Sequence, residues 1–310
     1  LPERVLHWLL LVAAMLAIVA VVWRSRVAEP ADSALEGADP VLAVPPGPGL
    51  LISADVSELS RAAQAELLSA FGDKLLGLRE TCGFEPLLSV KRVAFAMPFQ
   101  ARAQHAASDF ALIAETSLKE EQLSRCAQGV IRKRGGVPVR LRIGQFLSVR
   151  DSAKPLGEVA MRFDGLFVLS GGQYFRDVVD VAGGLTQPDE AARARSAVHG
   201  ELRRKLGPAP LLATLLPGAS FSTTGVRAVG LALQIESELR LRGFVGCESV
   251  AACSEAKLLL ERMKADPAEE PALALLRSVV VKQHDAQLEV SARWPRSELR
   301  GLLHQLLEAP

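Results

Sequence analysis

Apolar and polar positions divide this chain into three regimes. The first, Val5 to Trp23, reads VLHWLLLVAAMLAIVAVVW, interrupted only by His7 and bounded by Arg4, Arg24 and Arg26. At ~1.5 Å of rise per residue such a run reaches across most of a hydrocarbon core, so residues 1–26 are expected to form one transmembrane anchor. A cleaved leader is the competing reading. It needs small residues at the cleavage positions, and Arg24, Ser25 and Arg26 stand there instead, so the anchor is expected to be retained. The second regime, residues 27–49, is rich in Pro, Gly, Ala and acid and has neither helical nor strand periodicity. It is expected to be a tether, stiffened near the body by Pro45, Pro46 and Pro48.

From residue 50 onward the pattern alternates between strand and helix. A strand at 50–54 meets Asp55 and Glu58, a capping-box spacing, and Leu59, Ala63, Leu67, Phe71, Leu75, Leu78 and Cys82 then recur at helical intervals. Strands are predicted at 92–97 and 109–115. A helix follows, opening at Ser117 and Glu120 and carrying Leu123, Cys126, Ala127, Val130 and Ile131 on one side. Strands at 137–143 and 146–150 complete a β-α-β-β-α-β order, that of a ferredoxin-like split unit with both helices on one face of an antiparallel sheet. A hairpin at 158–170 turns on Asp164-Gly165, and helices are predicted at 173–181 and 190–206.

The last third uses the same grammar: strands at 226–235 and 239–245, a helix capped by Ser249, strands at 278–282 and 288–293, and a final helix opening at Pro295. The fold class is therefore α+β, with a first unit at 50–186 and a second at 187–310. DFALIAETSLKEEQLSRC and QLEVSARWPRSELRGLLH share a strand-then-helix pattern, which fits either two related units or coincidental alternation.

Composition changes this picture little. The 310 residues are 49% hydrophobic with a net charge of +1, so no overall field steers the chain to nucleic acid. Cysteine usage changes it more. Cys82, Cys126, Cys247 and Cys253 fall into two pairs. Cys247 ends a strand and Cys253 enters the first turn of the next helix, within disulfide reach; Cys82 and Cys126 join if their helices pack side by side. Two bridges imply an oxidising compartment. Four buried thiols in a cytosolic protein are the alternative, and Arg24 with Arg26 leans that way under the positive-inside rule, a bias that a long carboxy-terminal body often overrides.

Catalytic signatures do not emerge. His284-Asp285 falls in a hairpin turn, Ser170-Gly171-Gly172 lacks the partners of a phosphate loop, and no metal-ligand or nucleotide motif occurs, so no cofactor is expected. The densest basic cluster comprises Arg132, Lys133, Arg134, Arg140 and Arg142, with Arg150 nearby. It is a candidate patch for an anionic partner, or else a solvated sheet face.

The strand-to-helix start ADVSEL, the long helix, Cys82-Gly83-Phe84-Glu85-Pro86, a strand hairpin and the later Cys126 together resemble a group of bacterial envelope proteins that carry an amino-terminal anchor. The similarity spans about residues 50–130. That resemblance implies an extracytoplasmic α+β body and brings no assigned activity. The expectation is thus a single-pass protein of the bacterial inner membrane with a periplasmic, non-catalytic body that binds or assembles with other envelope proteins. A ligand-binding sensor or carrier subunit is the alternative, and it would require a concave pocket lined by converging polar groups.

Overall fold

The computed structural model describes residues 39–57, 78–84, 89–99, 109–153, 157–172, 174–185, 188–217, 225–236, 238–265 and 275–295. The apolar run at 5–23, the tether before residue 39, the amphipathic stretch at 58–77 and the final helix beyond Pro295 lie outside them. Among the described residues no helix is long and apolar enough to cross a membrane. The described residues form two compact units, 39–57 with 78–200, and 201–295.

In the first unit seven strands form one antiparallel sheet: β1 (Pro48–Asp55), β2 (Val90–Pro98), β3 (Phe110–Thr116), β4 (Pro138–Ile143), β5 (Phe146–Asp151), β6 (Glu158–Arg162) and β7 (Leu166–Gly171), in the spatial order β1-β2-β3-β7-β6-β5-β4. A ferredoxin-like split unit would set β1 and β2 parallel with a third strand between them. Here they are antiparallel neighbours, Ile52 opposite Phe95 and Ala54 opposite Val93. The described strands fall close to where they were expected but pair differently, because periodicity reports a strand's faces and not its neighbours.

Helices also lie on both faces of this sheet, not on one. Helix α1 (Glu120–Lys133) sets Leu123, Ala127 and Ile131 against Val149, Met161 and Phe167. Helix α2 (Tyr174–Ala182) covers the opposite face, where Tyr174, Phe175, Val178 and Val179 meet Phe146, Ala160, Leu166 and Val168. The mark of two-sided cover is β5, whose Phe146, Leu147, Ser148 and Val149 are all buried in succession where a half-solvated strand would alternate.

The Pro-rich segment is likewise folded where the structure describes it. Asp39 caps a 3-10 turn at Pro40–Ala43 by accepting from the Val41 amide, and Ala43 and Val44 join the same core as α2. Residues 39–49 are therefore part of the body. Their composition suggested a tether because prolines suit both a stiff spacer and a packed turn.

In the second unit five strands, β8 (Leu211–Leu215), β9 (Val226–Ile235), β10 (Glu238–Cys247), β11 (Val280–His284) and β12 (Gln287–Pro295), take the order β8-β9-β10-β12-β11. Pro295 is the last residue of β12. Helix α3 (Glu190–Leu206) crosses the division at residue 200, and in this unit its Leu202 and Leu206 pack on Gly230 of β9. Helix α4 (Val250–Ala265), capped by Ser249, covers the other face through Ala252, Ala256 and Leu260. Both units share one path. Three antiparallel strands run in sequence, a helix leaves the third, the chain goes to the sheet edge, and it returns to pair with that third strand (β3 with β7, β10 with β12). The recurrence matches β3 and α1 to β10 and α4, not to β12 and the segment after it.

Both expected disulfides are present, Cys82–Cys126 and Cys247–Cys253, with Cα atoms 4.4 Å and 5.5 Å apart. Gly129 admits the first. A Cβ there would stand 3.0 Å from Thr81 Cγ2 and 3.3 Å from the Thr81 carbonyl oxygen, so the bare glycine lets the helical end at 78–82 lie this close to α1 without a shift of either.

Candidate functional site

The basic cluster does not form one surface. Arg140 Nη2 donates to Glu121 Oε1 at 3.0 Å and Arg142 Nη2 to Glu120 Oε1 at 2.5 Å, both at the amino end of α1. Arg132, Lys133 and Arg134 stand at the carboxy end, ~20 Å away along the helix, where cations complement the helix dipole. There Lys133 lies 3.6 Å from Glu80, and Arg132 donates to Gln128. His284 and Asp285 occupy the β11–β12 turn, as their sequence position suggested. Ser170 is committed to the Phe110 carbonyl, so the Ser-Gly-Gly turn offers no hydroxyl to an anion.

What the fold does bring together is a cavity of about 410 Å³ within the first unit, lined by Pro45, Pro46, Gly47, Phe99, Asp109 and Tyr174, and further by Asp177, Val181, Asp189, Ala192 and Arg195. Five separate segments supply these residues. Tyr174, Asp177 and Val181 lie three and four positions apart on α2 and so share one helical face. Asp189 caps α3 by accepting from the Ala192 amide at 2.6 Å, which presents Ala192 and Arg195 on the next turn.

Helix α3 also holds the cavity's wall. Ser196 Oγ accepts from the Gly47 amide at 2.8 Å, and Arg195 Nε donates to the Gly47 carbonyl at 3.1 Å. Buried His199 Nε2 lies 2.8 Å from the Pro48 carbonyl, and since a carbonyl only accepts, that nitrogen carries the proton. The Arg195 guanidinium lies over the Phe99 ring, 5.0 Å from its centroid. At the far end of α2, Arg162 grips Asp164 with two hydrogen bonds of 2.9 Å and 2.7 Å and donates a third to the Ala182 carbonyl. Burial alone would raise the Asp164 carboxyl, but the Arg162 fork and the Leu166 amide outweigh it and hold the group below its ordinary value.

Two residues of the lining carry, behind the cavity surface, polar atoms that break the usual rule of satisfaction. Asp109, 5% exposed, and Tyr174, 6% exposed, leave Asp109 Oδ1 and the Tyr174 hydroxyl buried and without a hydrogen-bond partner among the described residues. Burial pushes the Tyr174 phenol well above its ordinary value, and the Asp177 and Asp109 charges add to the shift.

Tyr174 is the sole tyrosine, so its ionisation can be read from absorbance without interference. The folded state holds this proton more tightly than the unfolded one does. Stability should therefore be full below the ordinary tyrosine pKa of about 10 and fall as pH rises through the folded value. Tyr174→Phe should stabilise the protein by about 1 kcal/mol in urea unfolding, because it removes a hydroxyl that burial strips of water and nothing in the described protein replaces. A loss of 1 kcal/mol or so instead would mean that the hydroxyl is satisfied in the folded state.

None of these lining residues was singled out by sequence motif. The only signals were the unique tyrosine and a proline-rich stretch, and neither predicts that loops distant in sequence converge. No protein-family model and no curated protein matches the chain. Among solved structures, that of TP0453 in crystal form I aligns with 87% of this chain and 98% of its own, with a TM-score of 0.50 and 11% sequence identity. This chain is therefore similar to TP0453 in fold.

Proposed function

We propose that the chain is a membrane-anchored, extracytoplasmic binding module of the bacterial cell envelope, and that it binds a small molecule in the cavity of its first unit. The observation that carries the reading is the cavity of about 410 Å³ itself, which five segments of the first unit line with Asp109, Tyr174, Asp177, Asp189 and Arg195 among apolar residues. The two disulfides support an oxidising location, the apolar run at 5–23 supports the anchor, and the CGFEP resemblance supports the envelope. The module holds its ligand without transforming it. Two of its charged groups are already fixed in structural roles, Asp189 as a helix cap and Arg195 on the Gly47 carbonyl.

Other envelope proteins are the second class of partner. Strand β4 favours them, since it is the sheet's edge and leaves Leu141 and Ile143 exposed on the face opposite its two ion-paired arginines.

The binding claim is tested with the full chain in lipid nanodiscs, carrying isotope-labelled tyrosine so that the ring of Tyr174 gives the only labelled signal. A small-molecule extract of the source cells should move that signal in the native protein and not in Val181→Phe, which fills the cavity. A signal unmoved by the extract would remove the cavity as a binding site.

A further inference from the structure

We infer that the open face of the second unit's sheet is a docking surface for anionic phospholipid headgroups, whose phosphates settle on a rectangle formed by Arg240, Arg242, Arg293 and Ser291. The strand register builds that rectangle. Where β10 pairs with β12, Arg240 lies directly opposite Arg293 and Arg242 directly opposite Ser291. Alternate residues of a strand share a face, and side chains directly opposite have Cβ atoms about 5 Å apart, so three guanidinium groups and one hydroxyl stand together. All four residues are exposed.

The face is open because the helices of this unit lie elsewhere. Helix α4 covers the side that carries Leu288, Val290, Ala292 and Trp294. On the opposite side Leu202 and Leu206 of α3 reach Gly230 of β9, which lies opposite Phe244 of β10. Beyond it Gln287, Glu289, Ser291 and Arg293 of β12 are all exposed.

Acids answer only part of this charge. Glu238 Oε1 accepts from Arg240 Nε at 2.5 Å and Glu236 adds to its field, while Glu289 stands opposite Lys282 and 4.0 Å from His284. Arg242 and Arg293 have no ion-pair partner among the described residues. Like charges directly opposite on a sheet repel, so Arg240 and Arg293 gain from an anion set between them. A guanidinium fork matches two phosphate oxygens, and Ser291 adds a hydroxyl donor.

Headgroups fit this face better than other carriers of negative charge. The rectangle is part of a sheet surface with no wall to enclose a free ion, so single phosphates hold weakly there, whereas a bilayer presents many at once. A folded protein partner needs aromatic or aliphatic anchors at the interface centre, and from β10 to β11 this face offers only Val280, Pro295 and the half-buried Phe244. The choice of lipid also rests on the reading of residues 1–26 as a retained anchor. Residues 27–38 then span at most about 40 Å when fully extended, which keeps the body near a bilayer surface.

The test uses the full chain in nanodiscs of phosphatidylcholine, with and without added phosphatidylglycerol. Phenylglyoxal, which modifies exposed guanidinium groups, is read peptide by peptide with mass spectrometry. Modification of Arg242 and Arg293 should be at least about fivefold slower in the anionic discs, and high salt should restore it. Exposed Arg134 of the first unit should react alike in both discs. Lys282, read with an amine-acetylating reagent, should show the same lipid-dependent protection. Arg242→Ser combined with Arg293→Ser should abolish that protection without lowering stability in urea, since both side chains are exposed.

Equal reactivity of Arg242 and Arg293 in the two discs would overturn the assignment, as would protection that extends equally to Arg134. So would stronger protection in phosphatidylcholine discs by added polyglutamate, which would make an acidic protein the partner, or by added pyrophosphate, which would make it a free anion. Retention of the chain by the discs on size exclusion reads the anchor separately. If the chain leaves them the anchor reading falls, and the same labelling with anionic vesicles decides the face: protection upholds the docking surface and its absence overturns it.

Discussion

Alanine at both Cys82 and Cys126 is expected to lower the unfolding free energy by about 4 kcal/mol, roughly twice the loss from the same change at Cys247 and Cys253. The difference follows from the chain enclosed. The first bond joins residues 44 apart, the second residues 6 apart, and the entropy that a crosslink removes from the unfolded chain grows with the logarithm of that length. The longer loop also contains β2 and β3, which pair with each other along six positions, so its closure brings the central strands of the first sheet within reach. Urea unfolding of the two double variants, each kept non-reduced, measures the ranking. Equal losses would show that native packing and not loop closure sets the contribution.

The two losses together approach about 6 kcal/mol if distant sites add, a large part of the 5–15 kcal/mol typical of a folded domain. A chain with that dependence suits a compartment that keeps thiols oxidised. The disulfide prediction and the proposed extracytoplasmic location therefore bear on each other.

Elements that bury one clear face are legible in the sequence. Glu190–Leu206 and Val226–Ile235 fall where their periods of 3.6 and 2 place them, and the β6–β7 hairpin turns at Asp164-Gly165. The cysteine pairing is legible for a similar reason: a helix stripe and a strand end each set the direction of one sulfur. Pairing between strands is not. Nothing in the alternation of β1 tells whether β2 lies beside it or one strand further off, and β5, buried on both faces, carries no alternation to read.

The basic cluster shows a different limit. Arg132 and Arg142 are close in sequence, but α1 and the turn to β4 send them to opposite ends of the helix, where acids already meet Arg142 and Lys133. The cavity is the least legible part of all. Its segments, 45–47, 98–99, 109, 174–181 and 188–195, have no shared spacing, and a buried aspartate such as Asp109 looks in sequence like any polar residue ahead of a strand.

The cavity wall makes the second large effect measurable. Gly47 has φ of +68° and Gly144, in the β4–β5 turn, has φ of +55°, so alanine at either meets the same left-handed penalty of about 1–2 kcal/mol. Their surroundings differ. A Cβ at Gly144 meets nothing within 4 Å, whereas one at Gly47 would stand 2.8 Å from Ala192 Cα and 3.0 Å from the Ala192 carbonyl oxygen. Those are backbone atoms of α3 and cannot rotate aside. Gly47→Ala must therefore push the 45–48 segment away from the helix, straining the bonds that Arg195, Ser196 and His199 make to it.

The expected loss is about 3 kcal/mol or more for Gly47→Ala against about 1 kcal/mol for Gly144→Ala. Only the first should also displace the Tyr174 ring signal and weaken ligand binding, because only Gly47 borders the cavity. Paired urea unfolding curves and the tyrosine spectrum of each variant decide the matter. Equal destabilisation, with the Tyr174 signal unmoved in both, would mean that the wall at Gly47 yields freely and does not shape the site.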